Sequence, residues 1–350
     1  MSALKERLMS WAIGRTAVSQ DVAHAARTVV LEDAAHLPDL LASDVVDADS
    51  MIFVPGADAS GDTPTLIGYQ GSLAEPGTEF THDPGFYLQI QAYGISEYMS
   101  VVGPTLVRVA DTTDFEAYLL DADRAHDRGT FADFLTNPAI QLADLPALGA
   151  GQGGDGPGLR LYVGRAGEIS TSPGGIPLGK AGDGFARLAE AWTLRNAGSE
   201  QPCGVCLGAV VPEGTRATAL AERPWLGRYL AAVHALRDLR ARGVLVTGVS
   251  GFGERLLPAL EDHSAPCDAD DPDLLLLLRS GEDVYAHAPG PGRTFRMTRA
   301  VAETAEALLV CGSVDAAARY LDRERLDAVL RQFADTGLVL LANPLAGAGR

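Results

Sequence analysis

Three glycines in the stretch VLVTGVSGFGERL, residues 244–256, are of the type that binds nucleotide phosphates. Gly248, Gly251 and Gly253 follow a short apolar run, as glycines do in the first turn of a dinucleotide-binding domain. In such a turn, the glycines bring backbone amides and a helix N-terminus close to a pyrophosphate. The chemistry available to this stretch is therefore binding of NAD, NADP or ATP.

Three features of the same stretch argue against a nucleotide. Its spacing, G-x-x-G-x-G, departs from the G-x-G-x-x-G pattern. Glu254 puts a carboxylate where a diphosphate would dock, and like charges repel. About 100 residues follow Gly248, too few for the remaining βα units. We predict a structural strand, tight turn and short helix here, and no cofactor.

The four cysteines do not form a disulfide scaffold. Cys203 and Cys206 make a lone CxxC, whereas Cys267 and Cys311 lie far apart. A structural zinc site usually needs a second close pair or two histidines, and neither is present. The pattern favours unligated thiols, with a weak metal site or a redox pair as alternatives. We predict no metal.

His82 and Asp83 could form half of a catalytic pair, but they precede Pro84 and Gly85 and are more typical of a solvated turn. The sequence contains no G-x-S-x-G, no H-E-x-x-H and no phosphate-binding G-x-x-x-x-G-K-[ST]. We therefore predict no catalytic residues and a protein that is not an enzyme.

The charge of the chain limits its partners. Its 350 residues carry a formal net charge of −18, which disfavours nucleic acid and anionic membranes as partners. The N-terminal residues lack an apolar signal core, and no stretch supplies the ~20 apolar residues that a membrane-spanning helix needs. We predict a cytoplasmic protein.

Composition divides the chain into blocks that would position these residues. A glycine-rich linker at 148–158 and an acidic, proline-containing linker at 262–273 separate an N-terminal α/β domain (1–147), a middle α/β domain (159–261) and a C-terminal module (274–343). The predicted fold class is an α/β or α+β multi-domain body with a C-terminal winged helix-turn-helix.

Local patterns within the first two blocks predict particular elements. Strands are expected at 50–56 and 105–111, and a helix at 113–125. The run LRLYVGRAGEISTSP, residues 159–173, predicts a hairpin. Two helices are expected after it, the second ending at Gly243.

The C-terminal block is the most regular. Three strands are predicted at 274–279, 283–287 and 294–297. Three helices should follow, with Thr298, Ser313 and Asp322 as N-caps. Gly312 and Gly337 should end the first and third helices, and GLVLLA after the third should form a closing strand.

A winged helix often reads DNA with its last helix, but this one has the wrong charge. From Asp322 to Asp335 it carries three arginines against four carboxylates. Because Arg and Lys contacts to phosphate dominate DNA affinity, the module should bind DNA weakly. An acidic, ligand-responsive transcription factor remains a third possibility, and it would need the basic recognition helix that this sequence lacks.

The order of strands and helices, with RTFRMTRAVAETAEALL leading in and ADTGLVLL at the end, resembles the RiPP recognition element. This winged-helix module binds leader peptides of ribosomally synthesised and post-translationally modified peptides. The resemblance covers residues 273–342, and the layout of the whole chain is similar to that of the recognition proteins of daptide biosynthesis. In the family, the leader adds as a strand beside the third strand and lies against the third helix, a mode of binding that open sheet edges favour.

Carried onto this sequence, the resemblance implies a peptide-binding edge and a helix stripe. The edge comprises Thr294, Phe295, Arg296 and Met297, and the stripe comprises Arg325, Val329 and Gln332. Core packing is an equal alternative for Phe295, Met297 and Val329. Arg296 and Arg325 can pair with a leader carboxylate.

The sequence thus favours a non-catalytic scaffold that holds the leader of a precursor peptide and delivers it to separate modifying enzymes. The alternative is a peptide-modifying or nucleotide-dependent enzyme with its site in residues 1–261, in which the C-terminal module selects the substrate.

Overall fold

The computed structural model describes residues 3–15, 23–56, 60–83, 86–151, 155–199, 201, 203–338 and 340–341. It is a mixed α/β protein, and its chain divides into two compact units. The first unit contains residues 1–119 and 139–223, and the second contains residues 120–138 and 224–350. Over the described residues, no helix combines the length and the apolar content needed to cross a membrane.

A large sheet forms the centre of the first unit. Its strands are Thr28–Leu31 (β1), Met51–Pro55 (β2), Ser60–Asp62 (β3), Thr65–Gly71 (β4), Glu79–Asp83 (β5), Phe86–Ala92 (β6), Thr105–Arg108 (β7), Ile140–Leu142 (β8), Arg160–Val163 (β9), Glu168–Ser170 (β10) and Gly179–Lys180 (β11). The order is β11-β10-β9-β1-β2-β4-β5-β6-β7-β8, with β3 beside β4. The run β9-β1-β2-β4 is parallel, and so is β6-β7-β8.

Near-continuous apolar runs form the parallel strands because both faces of the sheet are covered. In β1, Val29 and Leu31 belong to one buried cluster and Val30 to another. Neighbouring strands follow the same alternation, since Ile52 lies in the first cluster and Phe53 in the second. Successive side chains of a strand point to opposite faces, so the two clusters are the cores on the two sides of the sheet.

The helices of this part of the chain are Ala3–Ile13 (α1), Leu37–Leu41 (α2), Tyr93–Ser96 (α3), Thr112–Arg128 (α4), Phe185–Ala197 (α5) and Glu213–Ala221 (α6). Residues 112–119 of α4 belong to the first unit, and residues 120–128 belong to the second. Short 3-10 turns lie at Ala34–His36 and Leu145–Leu148. The strands predicted at 50–56 and 105–111, the helix predicted at 113–125 and the hairpin predicted at 159–173 are confirmed, with small changes of boundary.

The glycine-rich stretch predicted as a linker at 148–158 lies inside the first unit. The strand that follows it, β9, pairs with β1 in the same sheet. Glycine composition indicates an irregular backbone, and Gly149, Gly151 and Gly156 all have positive φ. Such a composition is equally typical of a tight connection and of a flexible linker, so it does not by itself place a domain boundary.

The second unit combines a smaller sheet with helices. Its strands are Gly248–Ser250 (β12), Gly253–Glu254 (β13), Leu276–Ser280 (β14), Asp283–Ala288 (β15) and Arg293–Met297 (β16). Its helices are Leu226–Ala241 (α7), Arg299–Cys311 (α8), Val314–Ala317 (α9) and Arg323–Asp335 (α10), with 3-10 turns at Phe134–Thr136 and Pro258–Leu260. The three strands predicted at 274–279, 283–287 and 294–297 are confirmed as β14, β15 and β16.

Pairing extends this sheet beyond the three predicted strands. The order is β13-β12-β14-β15-β16, and β12 pairs antiparallel with β14. Residues 224–261 therefore belong with the C-terminal block, and the acidic stretch 262–273 lies within one unit instead of separating two. β12 and β14 lie on the two sides of this acidic stretch in the sequence, so its composition could not indicate that they pair.

Side-chain caps begin the last three helices as predicted. Thr298, Ser313 and Asp322 accept hydrogen bonds from the backbone N–H groups of Val301, Ala316 and Arg325, respectively. Gly312 ends α8 with a left-handed φ of 65°, a conformation in which a Cβ is unfavourable. These caps fix the start of each helix and separate α8 from α9 by a sharp turn.

The three helices share one apolar core with β14 and β15. Leu326, Val329 and Phe333 of α10 are buried in it, and Leu330 is partly buried. The closing strand predicted over 337–342 is not formed at its described residues, and Val339 and Ala342 lie outside them. Leu338 and Leu340 pack onto the same core instead. Burial of their apolar side chains does not require these residues to pair with a neighbouring strand.

Replacing Phe333 with Ala should lower the free energy of unfolding by ~3–5 kcal/mol, since it removes a buried aromatic ring and leaves a cavity. Phe333 is 5% exposed. Urea unfolding of the full chain measures the loss. The matched control is Gln332→Ala, which changes an exposed neighbour and should stay within ~0.5 kcal/mol of the parent. Equal losses in the two variants would contradict the placement of the core.

Candidate functional site

Strand β16 forms one edge of the second unit's sheet. Among the described residues it is paired on one side only, with β15, in antiparallel register. Phe295 lies opposite Ala286 and Thr294 lies opposite His287. The predicted edge residues Thr294, Phe295, Arg296 and Met297 thus lie together on one edge strand, whose outward N–H and C=O groups are free to pair with an added strand.

The Thr294 side chain is hydrogen-bonded on one face of the sheet, to His287 and Asp238. Its Oγ1 lies 3.0 Å from Nδ1 of His287 and donates to Oδ2 of Asp238 on α7 at 3.3 Å. Because the hydroxyl proton goes to Asp238, the hydroxyl oxygen accepts from Nδ1–H of His287. The Thr294 side chain positions the strand and is not directed toward a ligand.

His287 is a buried residue of this chain that sequence reasoning missed. It is 1% exposed, and its Nε2 has no hydrogen-bond partner among the described residues. Burial lowers the pKa of His287 to about 4; His234 and Arg242 also lower it, whereas Asp238 raises it. The imidazole is therefore neutral at pH 7. The one sequence signal for the burial of His287 was its position in the strand run DVYAHA, where successive side chains point to opposite faces of the sheet.

Phe295 and Met297 lie on the opposite face of β16, toward the helices. Met297 packs against the apolar core, and Phe295 is half-buried. The guanidinium carbon of Arg293 lies 5.0 Å from the centre of the Phe295 ring, a cation–π distance. Phe295 is thus an apolar side chain at the rim of the sheet, whereas Met297 belongs mainly to the core.

Arg296 is exposed and pairs with Asp283 on β15 at 2.8 Å. The run from residue 293 to residue 299, RTFRMTR, contains three arginines and no carboxylate in a chain of net charge −18. All three are exposed at the surface. Arg299 is paired with Glu303 at 3.0 Å, so two of the three arginines have a carboxylate partner and Arg293 is the one without an ion pair among the described residues.

The three predicted positions on α10 have different environments. Arg325 is half-buried; it donates to the backbone carbonyl of Ala300, and its guanidinium lies 3.9 Å from Glu303. Both partners lie in the first half of α8, which directly follows β16. Val329 is buried in the core, and Gln332 is exposed. Only Arg325 and Gln332 present polar groups at the surface, and Val329 packs inward.

The glycine stretch is a turn between two short strands and does not lead into a helix. Gly248 lies in β12, Gly253 lies in β13, and the 3-10 turn Pro258–Leu260 is the next element. The prediction of a structural turn is confirmed, but the strand before Gly248 and the helix after Gly253 are not formed. A pyrophosphate site of the dinucleotide type needs a helix N-terminus at this point.

Glu254 and Glu306 explain why this turn is ordered. Glu254 pairs with Arg279 on β14 at 2.7 Å. Buried Glu306 on α8 accepts from the hydroxyl of Ser250 and from the backbone N–H groups of Leu256 and Leu257. Its pKa is raised by burial, and these hydrogen bonds oppose the rise. The sequence signal for this contact was Glu306 itself, a carboxylate among the apolar residues of the predicted helix.

His82 lies in β5, where its Nδ1 is 2.7 Å from the backbone carbonyl oxygen of Gly68. The turn predicted at Pro84 and Gly85 lies outside the described residues. Cys203 and Cys206 form a disulfide, in place of the unligated thiols predicted for them. The carboxylate of Asp155 lies against both sulfurs, a contact between residues 48 and 51 positions apart that spacing could not indicate.

A cavity of about 420 Å³ lies at the other side of the second unit. Its lining includes Phe131, Arg240, Leu245 and two residues of β12, Gly248 and Val249. Arg240 pairs with Asp133 at its rim, at 2.8 Å. In the strand order, β12 is two strands away from β15, so this cavity and the open edge of β16 are separate features of one sheet.

No protein-family model, curated protein or solved structure matches the chain. What the protein does has to be inferred from its own residues.

Addition of NAD, NADP or ATP should leave the melting temperature unchanged. The glycine turn leads into the short strand β13 and not into the helix whose N-terminus would bind a pyrophosphate. A ligand at 100 times its dissociation constant would stabilise the fold by ~2.7 kcal/mol, which a thermal melt detects easily. A reproducible rise of several degrees with any of the three nucleotides would overturn the structural interpretation of the glycines.

The low pKa of His287 predicts a loss of stability in acid. An unfolded histidine titrates near pH 6.5, whereas His287 in the fold titrates near 4, so only the unfolded state takes up this proton between those values. Stability should be fully present above pH 6.5 and fall toward pH 4, by ~1–3 kcal/mol from this group. Urea unfolding at several pH values should show a shallower fall for His287→Asn, which keeps a donor toward Thr294. Parallel curves for parent and variant would count against the buried neutral imidazole.

Proposed function

We propose that the protein is a non-catalytic recognition protein that binds the leader of a ribosomally made precursor peptide and delivers it to separate modifying enzymes. In this proposal β14–β16 and α8–α10 act as a winged-helix RiPP recognition element of the daptide type. The protein works in the cytoplasm without a cofactor, and nucleic acid and membranes are not its partners.

The open edge of β16 is the observation that carries the proposal. An edge strand offers a row of unpaired N–H and C=O groups, and an extended peptide can pair with them through its main chain. The strand is kept in place without using that edge, because Thr294 is anchored from one face and Met297 packs on the other. The binding surface is therefore preformed.

Side chains around the edge indicate the chemistry of the leader. Arg293 favours a peptide with carboxylates, since a guanidinium can make paired hydrogen bonds to a carboxylate. At Arg296 and Arg299, a leader carboxylate would compete with Asp283 and Glu303. Phe295 offers one apolar contact at the rim. We expect an extended, acidic segment with at least one apolar side chain that faces α8.

The enzyme alternative has less support. In the turn at 248–254, Ser250 donates to Glu306 and Glu254 pairs with Arg279, and no helix for a diphosphate begins there. The cavity lined by Phe131, Arg240 and Leu245 is the described feature closest to a substrate site in the second unit. It would become the first place to look if a peptide-modifying activity were found.

Strand addition predicts a pattern that other binding modes do not. Synthetic peptides from short reading frames beside the gene are titrated into the full chain by calorimetry, and the binding peptide is then N-methylated at one position at a time. Methylation should abolish binding at alternate positions, because alternate amides of an added strand point to β16. NMR signals of the amides at 293–297 should shift on binding. A pattern with a period of three to four residues would indicate a bound helix and contradict the proposal.

Arg325→Gln should weaken binding of the same peptide about tenfold or more, which corresponds to ~1.4 kcal/mol, through loss of a charge-assisted contact. Arg331→Gln is the matched control, since it removes an exposed arginine of the same helix. Arg325→Gln also loses the contacts of Arg325 with Ala300 and Glu303, so thermal melts of both variants set a titration temperature at which each is fully folded. If Arg325→Gln binds as tightly as the control, the peptide does not lie along α10.

A further inference from the structure

Cys203, Cys206 and Asp155 form a compact buried cluster in the first unit, distant in sequence from the proposed peptide-binding edge. Oδ2 of Asp155 lies 2.9 Å from Sγ of Cys203 and 2.9 Å from Sγ of Cys206. Both cysteines are 0% exposed, and the Asp155 side chain is also 0% exposed. One carboxylate oxygen is thus directed at two sulfur atoms in an environment without solvent.

A second layer of contacts orients this carboxylate. Nε of Arg160 donates to Oδ1 of Asp155 at 2.8 Å, so that Oδ2 is the oxygen that faces the sulfurs. Arg160 also donates to Asp144, and burial of the guanidinium is offset by these two carboxylates. Ligand carboxylates in metal sites are typically held by such an outer hydrogen bond. The hydroxyl of Ser172 likewise holds the backbone carbonyl of Cys206.

The disulfide alone does not account for this arrangement. Disulfide sulfurs carry no proton, so neither can donate to Asp155 Oδ2, and a buried anion needs donors or a cation. Arg160 supplies only a distant contact to this oxygen, with Nη2 at 3.5 Å. A disulfide between Cys203 and Cys206 also closes one of the shortest possible loops, and such loops contribute least to stability. The carboxylate is better explained as a partner of the reduced cysteines.

We propose that Cys203, Cys206 and Asp155 bind one divalent cation of the zinc class when the two cysteines are reduced. The three ligand atoms lie within 4.8 Å of one another. Around a tetrahedral zinc, such atoms would be roughly 3.5–3.8 Å apart, given bond lengths of ~2.3 Å to sulfur and ~2.0 Å to oxygen. Thiolates select a borderline or soft cation over Mg²⁺ or Ca²⁺. The buried hydroxyl of Thr171, 3.8 Å from Cys206 Sγ, is placed to complete the coordination.

The chemistry balances in two steps. A dithiol reductant breaks the S–S bond by giving two electrons and two protons, which makes two thiols here and one disulfide on the reductant. The cation then forms two metal–sulfur bonds and one metal–oxygen bond, and the two thiol protons go to solvent. Two positive charges replace two protons, so the buried cluster with Arg160, Asp144 and Arg108 keeps the same total charge.

The test uses the full chain, reduced with a phosphine under anaerobic conditions, and Co²⁺ as the probe. Thiolate coordination gives an intense sulfur-to-cobalt absorption band in the near ultraviolet, which we expect at one cobalt per chain and which Zn²⁺ should abolish. Zn²⁺ binding in weak buffer should release about two protons per ion. The oxidised protein should give no band.

Variants assign the ligands. Cys203→Ser should lose most of the band, whereas a Cys267→Ser, Cys311→Ser double variant should keep it, because these two cysteines are not in the cluster. Asp155→Asn should weaken Co²⁺ binding at least tenfold while the band remains. Circular dichroism checks that each variant folds.

Several results would overturn the site. They are cysteines that stay oxidised in the folded protein under the phosphine, a reduced parent chain without the band, and a band that survives in Cys203→Ser. None of these measurements involves a peptide, so the outcome is independent of the proposed function.

Discussion

The buried carboxylate of Asp144 is the contact on which the first unit depends. Its two oxygens accept from Arg108 at the end of β7 and from Arg160 at the start of β9. These strands belong to the two separate parallel runs of the sheet. Arg160 continues the network to the carbonyl of Trp11 on α1 and to Asp155. Loss of Asp144 would leave the buried guanidinium of Arg108 without its main charge partner and Arg160 with Asp155 alone, which is far more costly than loss of a surface ion pair.

Buried charge is organised in a similar way in the second unit, where it leaves one edge free. Arg228 and Arg255 share the carboxylate of Asp268, and Glu306 accepts the amides that follow the β13 strand. These contacts use the polar groups near β12, β13 and α8. β16 pairs with β15 through its main chain on one side, and the side chains of Thr294 and Met297 hold it from its two faces. The outward main chain of that strand has no internal partner among the described residues. β13 and β16 are the two edge strands of this sheet, and β16, the longer of the two, offers the longer row of outward main-chain groups.

Local signals in the sequence were sufficient for the helices of the C-terminal block and for some of the strands. The cap residues Thr298, Ser313 and Asp322 and the ending at Gly312 act within a few residues, so their pattern predicted the helix starts correctly. Apolar runs likewise predicted β2, β7 and the β9–β10 hairpin in the first sheet and β14, β15 and β16 in the second. The edge position of β16 was implied by the resemblance to the RiPP recognition element, and the strand order places β16 at an edge.

Contacts between distant residues could not be predicted in this way. The pairing of β12 with β14 crosses the acidic stretch that composition marked as a boundary. Asp155 meets Cys203 and Cys206 across about fifty residues, and His287 meets Asp238 through Thr294. Val329 shows a related limit: its spacing fits both the groove and the core, and only the packing of α10 places it inside.

Gly253 shows how backbone packing can imitate a ligand-binding motif. Its φ is +70°, and a Cβ at this position would overlap the backbone of Arg128 and Gly129. Any larger residue is therefore excluded by the chain itself, with no nucleotide involved. In an alignment of relatives, this column would be expected to remain glycine and to look like a phosphate-binding fingerprint. Invariance at such a position would report the closeness of two backbone segments and would carry no information about a cofactor.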